Sequence, residues 1–221
     1  MPNLKLVYFP SLRARAEAIR MCLHHAEIAY QELTVEEYFG TSWGKEAKRS
    51  LPFGQLPLLV IDDEPLAQSG SIVRYIASMQ TNTRKLKPVG DILLQAKCDA
   101  LFEAAQELAV VNRLVNRETG EQFESKKEEY MKAFPSKLKN LEKQFQGPFF
   151  LGGEPYYCDF ALYHQLDLTR LVEPQSLSKS SQIESFLMAI ENLPEVGKYL
   201  QSRPDCVGIG TNPKLKPKQN T

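Results

Sequence analysis

A change of periodicity near residue 88 constrains this chain more than any other feature of its sequence. Before it, short apolar runs of strand character alternate with helical spacings. After it, only the helical period recurs. Residues 4–8 (LKLVY) predict a strand that ends at Phe9-Pro10. Ile19, Cys22, Leu23 and Ala26 lie at i, i+3, i+4 and i+7, one face of a helix. Residues 28–34 return to strand composition, and residues 36–50, interrupted by Gly40 and Gly44, predict an irregular polar segment. Leu58–Ile61 predicts a buried strand, Asp62-Asp63 a turn, and Leu66-Ala67 a returning strand. Ile72, Tyr75, Ile76 and Met79 repeat the helical spacing. The order is β-α-β, then β-β-α.

The polar stretch 81–88, closed by Pro88, reads as a linker between a domain at 1–80 and another at 89–221. In the second domain Leu93, Ala96, Ala100, Ala104, Leu108, Val111 and Val115 predict one long helix. Tyr130, Phe134, Leu138, Leu141 and Phe145 predict another, which Pro135 should kink or break. A helix over 159–171 follows, then one marked by Ile183, Phe186, Leu187 and Ile190, and a short last one opened by Pro194. No strand pattern occurs after residue 88, and the Lys/Pro-rich end predicts a loose tail. The fold class is therefore a small α/β domain followed by an all-helical one.

Composition narrows the function. With 43% apolar and 24% charged residues over 221 positions, the chain has the balance of a globular protein. Lys+Arg and Asp+Glu each number 27, so there is no basic excess of the kind that grips phosphate backbones, and nucleic acid is not an expected partner. No apolar run approaches the roughly 18 to 20 residues that span a bilayer, so no membrane partner is expected. The first ten residues lack a secretion signal. Cys22, Cys98, Cys158 and Cys206 are widely spaced, as in reduced thiols of a cytoplasmic protein. His24, His25 and His164 have no metal-ligand spacing, so no metal is expected.

In order and spacing, the segments VYFPSLRARAEAIR, LPFGQLPLLVID and AQSGSIVRYIA resemble a cytosolic glutathione transferase of the tyrosine-type classes, nearest to sigma and pi. The resemblance is densest over residues 1–80, and the helical remainder fits in size. It implies a thioredoxin-like N-terminal domain, an all-helical C-terminal domain and a homodimer. The implied activity is conjugation of glutathione, as co-substrate, to small hydrophobic electrophiles. A glutathione-dependent isomerase of the prostaglandin D synthase kind, and a non-catalytic ligand-binding or structural member of the fold, are the alternatives.

The chemistry can be argued from the thiol. At a pKa near 8.5, only about 3% of a thiol is thiolate at pH 7, and the thiolate is the nucleophile. Lowering that pKa by two units takes about 2.7 kcal/mol. A tyrosine keeps its proton at pH 7 and so can donate to the sulfur, and Tyr8 stands where the first strand ends. Ser11 is the rival hydroxyl.

The remaining assignments are implied by the resemblance. Arg15, with Arg13 as its competitor, would stand near the tripeptide. Between them lies Ala14, where the family usually has glycine, and the loop carries one extra residue. Leu56 would pair its backbone with the cysteinyl residue of glutathione, ahead of a cis Pro57. Gln68 and Ser69 would meet the γ-glutamyl carboxylate at a helix start, with Ser69 a good N-cap. Trp43, Gln55 and Lys48, with Lys45 competing, would close over the glycyl end. Glu107, or Glu103, would reach the γ-glutamyl amine from the neighbouring subunit, and Phe53 is the aromatic that could enter that subunit. Phe9, Leu12, Val111 and Asn112 would line the electrophile pocket. Asp159 stands at a helix start whose capping position holds Tyr156 rather than a small hydroxyl residue.

Overall fold

The computed structural model describes residues 2–79 and 84–216. Residues 81–83 of the expected linker, with residue 80 before them, and 217–221 of the expected tail lie outside that range. The chain divides into two compact units, Met1–Leu86 and Lys87–Thr221.

The first unit is built on a four-stranded sheet of order β2-β1-β3-β4. β1 (Leu4–Val7) runs parallel to β2 (Gln31–Leu33) and antiparallel to β3 (Leu58–Ile61), and β3 pairs antiparallel with β4 (Glu64–Ala67). The parallel pair needs a crossover, which α1 (Glu17–His25) supplies. Asp62 and Asp63, both at positive φ, form the two-residue β3-β4 turn. α1 buries Ile19, Cys22 and Leu23, and α4 (Ser69–Ser78) buries Ile72, Val73, Ile76 and Ala77.

The expected irregular segment 36–50 instead carries two short helices, α2 (Val35–Phe39) and α3 (Lys45–Arg49). α2 opens with a capping box. Thr34 accepts from the Glu37 N–H at 3.2 Å, and the Glu37 carboxylate accepts from the Thr34 N–H at 2.7 Å.

The second unit contains α5 (Ile92–Leu108), α6 (Val110–Asn116), α7 (Gly120–Glu142), α8 (Tyr157–Val172), α9 (Ser181–Glu191) and α10 (Pro194–Ser202). α8 is buried along nearly its whole length and packs against α5, α6 and α9. Three sequence expectations are corrected here. The helix expected over 93–115 breaks at Ala109, where the N–H bonds three residues back to Gln106 rather than four. Its inner face consists of Cys98, Leu101, Phe102, Ala105 and Leu108, while Leu93, Ala96 and Ala100 are exposed. α7 continues through Pro135, which sits on the exposed side of the helix, so the break offered as one outcome there does not occur. The third correction is a hairpin, β5 (Asp205–Val207) with β6 (Lys214–Lys216), where no strand was expected.

Candidate active site

The sheet register decides which residues can meet. Val7 pairs with Leu33 on one side and Leu58 on the other, and Leu58 pairs with Ala67. The residues just beyond these ends, Tyr8, Leu56-Pro57 and Gln68-Ser69, therefore share one end of the sheet. Tyr8 continues the ladder by donating its N–H to the Leu33 carbonyl at 3.0 Å. It is only 4% exposed.

The loop after Tyr8 turns back on the phenol. Leu12 N–H closes a turn on the Phe9 carbonyl at 3.3 Å. Ser11 and Ala14 hold φ of 58° and 34°. A side chain in that region costs about 1–2 kcal/mol, so an alanine sits where glycine would be easier. The following Arg15 N–H donates to the Tyr8 hydroxyl oxygen at 3.2 Å. An oxygen that accepts from an N–H is polarised, and its own proton becomes a better donor. Arg15 has an exposed side chain, whereas Arg13 is buried. Ser11 is exposed at the tip of the turn.

Three charged residues behind this loop escaped the sequence reading. Arg20 is 5% exposed on α1. Its guanidinium donates to both oxygens of Glu32 at 3.0 and 3.1 Å through Nε, and to Glu17 at 3.1 Å through Nη1. Nη1 also reaches the carbonyls of Leu12 at 2.9 Å and Arg13 at 3.4 Å. The Arg20 Cζ stands 5.7 Å from the Tyr8 ring centroid. The available signal was an arginine three residues before Leu23, on the helix face that should be apolar. Burial pushes the nearby Tyr30 phenol well up, with Glu32 adding to it, so that group stays neutral.

An aromatic row extends from Tyr8 through edge-to-face contacts. Tyr8 and Phe9 centroids lie 5.4 Å apart, and Phe9 and Trp43 5.2 Å apart. Lys48 Nζ stands 5.1 Å from the Trp43 ring centroid. Trp43 and Leu56 both pack on the cluster that contains Val7, Leu51 and Leu58. The structure thus brings Tyr8, Phe9, Trp43, Lys48 and Leu56 together. Leu12 is half-buried in the same loop. Lys45 and Gln55 are exposed, Lys45 on the first turn of α3 and Gln55 beside Leu56. The Leu56-Pro57 bond is cis. At the start of α4 the N-cap is Gln68, at φ 74° and without a side-chain cap bond, and Ser69 is the first helical residue. Ser69 therefore does not play the N-cap part expected of it, because the strand enters the helix one residue earlier.

The assignments in the second unit fare differently. Val111 is fully buried, and Asn112 spends its amide on Gln165 at 2.8 Å and Ala109 at 3.1 Å, with His164 at 2.9 Å from its oxygen. Both are buried in the second unit, just past the break at Ala109. That break turns Val110 outward instead. Glu107 is exposed and its carboxylate pairs with Lys137 at 3.1 Å, while Glu103 lies exposed one turn earlier. Among the described residues there is no group of three or more His, Cys, Asp or Glu that could hold a metal ion, and no helix is long and apolar enough to cross a membrane.

With this geometry in place, comparison with known proteins is informative. The family profile for the glutathione S-transferase N-terminal domain matches residues 4–78, and that for the C-terminal domain matches residues 108–203. Glutathione S-transferase Mu 2 of Mus musculus is 30% identical over 200 residues, covering 86% of this chain and 88% of the relative. Glutathione S-transferase Mu 5 of Homo sapiens is 30% identical over 209 residues, covering 90% and 91%. Among solved structures, the pi-class glutathione S-transferase of Onchocerca volvulus superposes with a TM-score of 0.75 at 26% identity, covering 91% of this chain and 93% of that one. The fold is the glutathione transferase fold, a thioredoxin-like domain followed by a helical one. The relatives bear Mu names and this solved structure a pi one, and neither fixes the class of this chain. On these matches and this architecture, the chain belongs to the glutathione S-transferase family.

Proposed function

We propose that this protein conjugates reduced glutathione to hydrophobic electrophiles, with the Tyr8 hydroxyl donating to the glutathione thiolate. The observation that carries this reading is the Arg15 N–H on the Tyr8 oxygen at the sheet end shared with Leu56, Gln68 and Ser69. A donor polarised in this way, on a side chain only 4% exposed, is suited to the roughly 2.7 kcal/mol that a two-unit shift of the thiol requires. The peptide parts of glutathione match the surroundings. Leu56 would pair with the cysteinyl backbone. The γ-glutamyl carboxylate would lie at the start of α4, where free N–H groups and the helix dipole favour an anion. Lys48, beside Trp43, would neutralise the glycyl carboxylate, with Gln55 near it, and Arg15 would border the tripeptide. Phe9 and Leu12 would face the electrophile. The reading is of a cytosolic enzyme.

The partner in this reading is a second copy of the chain. The exposed stripe Leu93, Ala96 and Ala100 runs into a groove of about 360 Å³ between α5 and α7, floored by Leu101, Leu108 and Leu141. Phe53, 64% exposed, is an aromatic of the size such a groove takes. Glu107, whose Oε2 pairs with Lys137, would turn its other oxygen to the γ-glutamyl amine of that second copy.

The test is turnover of a chromogenic aryl halide with glutathione by wild type and Tyr8→Phe. The reading predicts a fall of tenfold or more in kcat/KM, about 1.4 kcal/mol of transition-state stabilisation. Turnover by wild type with no loss in Tyr8→Phe would transfer the role to Ser11 or another donor. Glutathione binding without turnover across several electrophiles would instead make the protein a binder.

A further inference from the structure

The loop between Tyr8 and α1 is held from behind, and the holder is Arg20. Two non-glycine residues in this loop, Ser11 and Ala14, occupy the left-handed region, which L side chains rarely adopt. Such a conformation persists only where its surroundings over-determine it. Here the surroundings are specific. The Leu12 and Arg13 carbonyls, between those two residues, both accept from Arg20 Nη1. The guanidinium is fixed in turn by Glu17 on its own helix and Glu32 on β2, so it has little freedom to follow the loop. The far end of the loop delivers the Arg15 N–H to the Tyr8 hydroxyl.

We propose that Arg20 is a positioning residue for the reaction: by pinning the Leu12 and Arg13 carbonyls it keeps the Arg15 N–H on the Tyr8 oxygen, and so sets how strongly Tyr8 donates to the thiolate. This rests on the reading that Tyr8 is the thiolate donor. Arg20 acts through Tyr8 and need not touch glutathione. A lysine keeps the charge opposite Glu17 but cannot hold two carboxylates and two carbonyls with one planar fork.

The test follows the absorbance of bound thiolate against pH, with glutathione affinity read in parallel from the fluorescence of Trp43, the one tryptophan in the chain. Arg20→Lys is expected to raise the thiolate midpoint by about one unit and to lower kcat/KM near pH 6.5 about fivefold. Affinity should stay within about threefold, and kcat should recover above the new midpoint. Adding Ala14→Gly should restore at least half of the shift, because glycine takes the loop angle without a pin. Arg20→Lys added to Tyr8→Phe should shift the midpoint no further. If Arg20→Lys fails to fold, Glu32→Gln loosens the same guanidinium and should shift the midpoint in the same direction, lowering kcat/KM about threefold. An unchanged midpoint in a folded, glutathione-binding Arg20→Lys, or additive shifts in the double variant, would overturn the proposal. An unchanged midpoint in Tyr8→Phe would sink the reading of Tyr8 itself, whatever Arg20 does.

Discussion

Ala14 holds a φ of 34°, an angle alanine resists and glycine accepts. Replacing it with glycine relieves that strain but adds freedom to the unfolded chain. Ala14→Gly should therefore stabilise the protein by about 0.5–1 kcal/mol, seen as a higher urea midpoint at unchanged slope. The sequence showed that this position was unusual, since the resemblance carries glycine there. It could not show that the loop keeps its turn nonetheless, because the restraint comes from Arg20, which is distant along the chain from the β2 carboxylate it binds. Lys48 makes a second prediction at this scale. It would contact the end of glutathione away from the sulfur, so Lys48→Met should raise KM for glutathione roughly five- to tenfold and leave kcat nearly unchanged. An equal fall in kcat would mean that Lys48 acts on the chemistry. Tyr8 stood out as a candidate because a tyrosine ends the first strand, whereas Trp43 and Leu56 were candidates through the resemblance alone. Arg20, Glu17 and Glu32 were not legible, because a charged residue on an apolar helix face reads as an exception until its partners are seen.

Two elements carry buried titratable groups whose effects on stability oppose each other. Asp159, in the first turn of α8, accepts from the Phe150 and Tyr156 N–H groups, each at 2.8 Å. The Asp159 expected at a helix start thus caps it, and Tyr156 contributes backbone rather than its phenol. Burial pushes the Asp159 carboxyl up to about 6, against the pull of those N–H donors. A raised folded value means its contribution is fully present below about 3.8 and is lost as pH rises through about 6. His25, the last residue of α1, is buried and lowered to about 4, first by burial and then by Arg84. Its contribution is present above about 6.5 and lost as pH falls through about 4. Relative to Asp159→Asn, wild type should therefore lose stability between pH 4 and 6. Relative to His25→Gln, it should gain stability over the same range. Denaturant melts at several pH values read both, and matching slopes in wild type and variant would contradict either shift. Asp159→Ala, which strands the buried Phe150 N–H and the part-buried Tyr156 N–H, should cost about 2–4 kcal/mol. Element types were largely legible from period. The misses have local causes: the Thr34-Glu37 box was a readable helix start, whereas the break at Ala109 falls where good helix formers give way to Val110, Val111 and Asn112 without a glycine or proline to mark it.

At the scale of the whole molecule, the order of an α/β unit and a helical unit was visible in the change of period. The exposed apolar stripe on α5 was visible too, as part of a helical period, but spacing cannot tell a face buried within one chain from a face awaiting another. If a second copy covers it, the protein should sediment as a dimer, and Phe53→Ser should weaken the association at least tenfold while leaving each chain folded. A wild-type monomer at micromolar concentration would contradict that arrangement. The central claim concerns the thiolate at the sheet end, and the measurement that bears on it most directly is the pH titration of glutathione bound to wild type and to Tyr8→Phe. The account predicts a bound thiol about two units below the free one in wild type, and at least half of that shift lost in Tyr8→Phe with glutathione still bound. A bound thiol that titrates like free glutathione in wild type, or a lowered midpoint that survives removal of the hydroxyl, would contradict it.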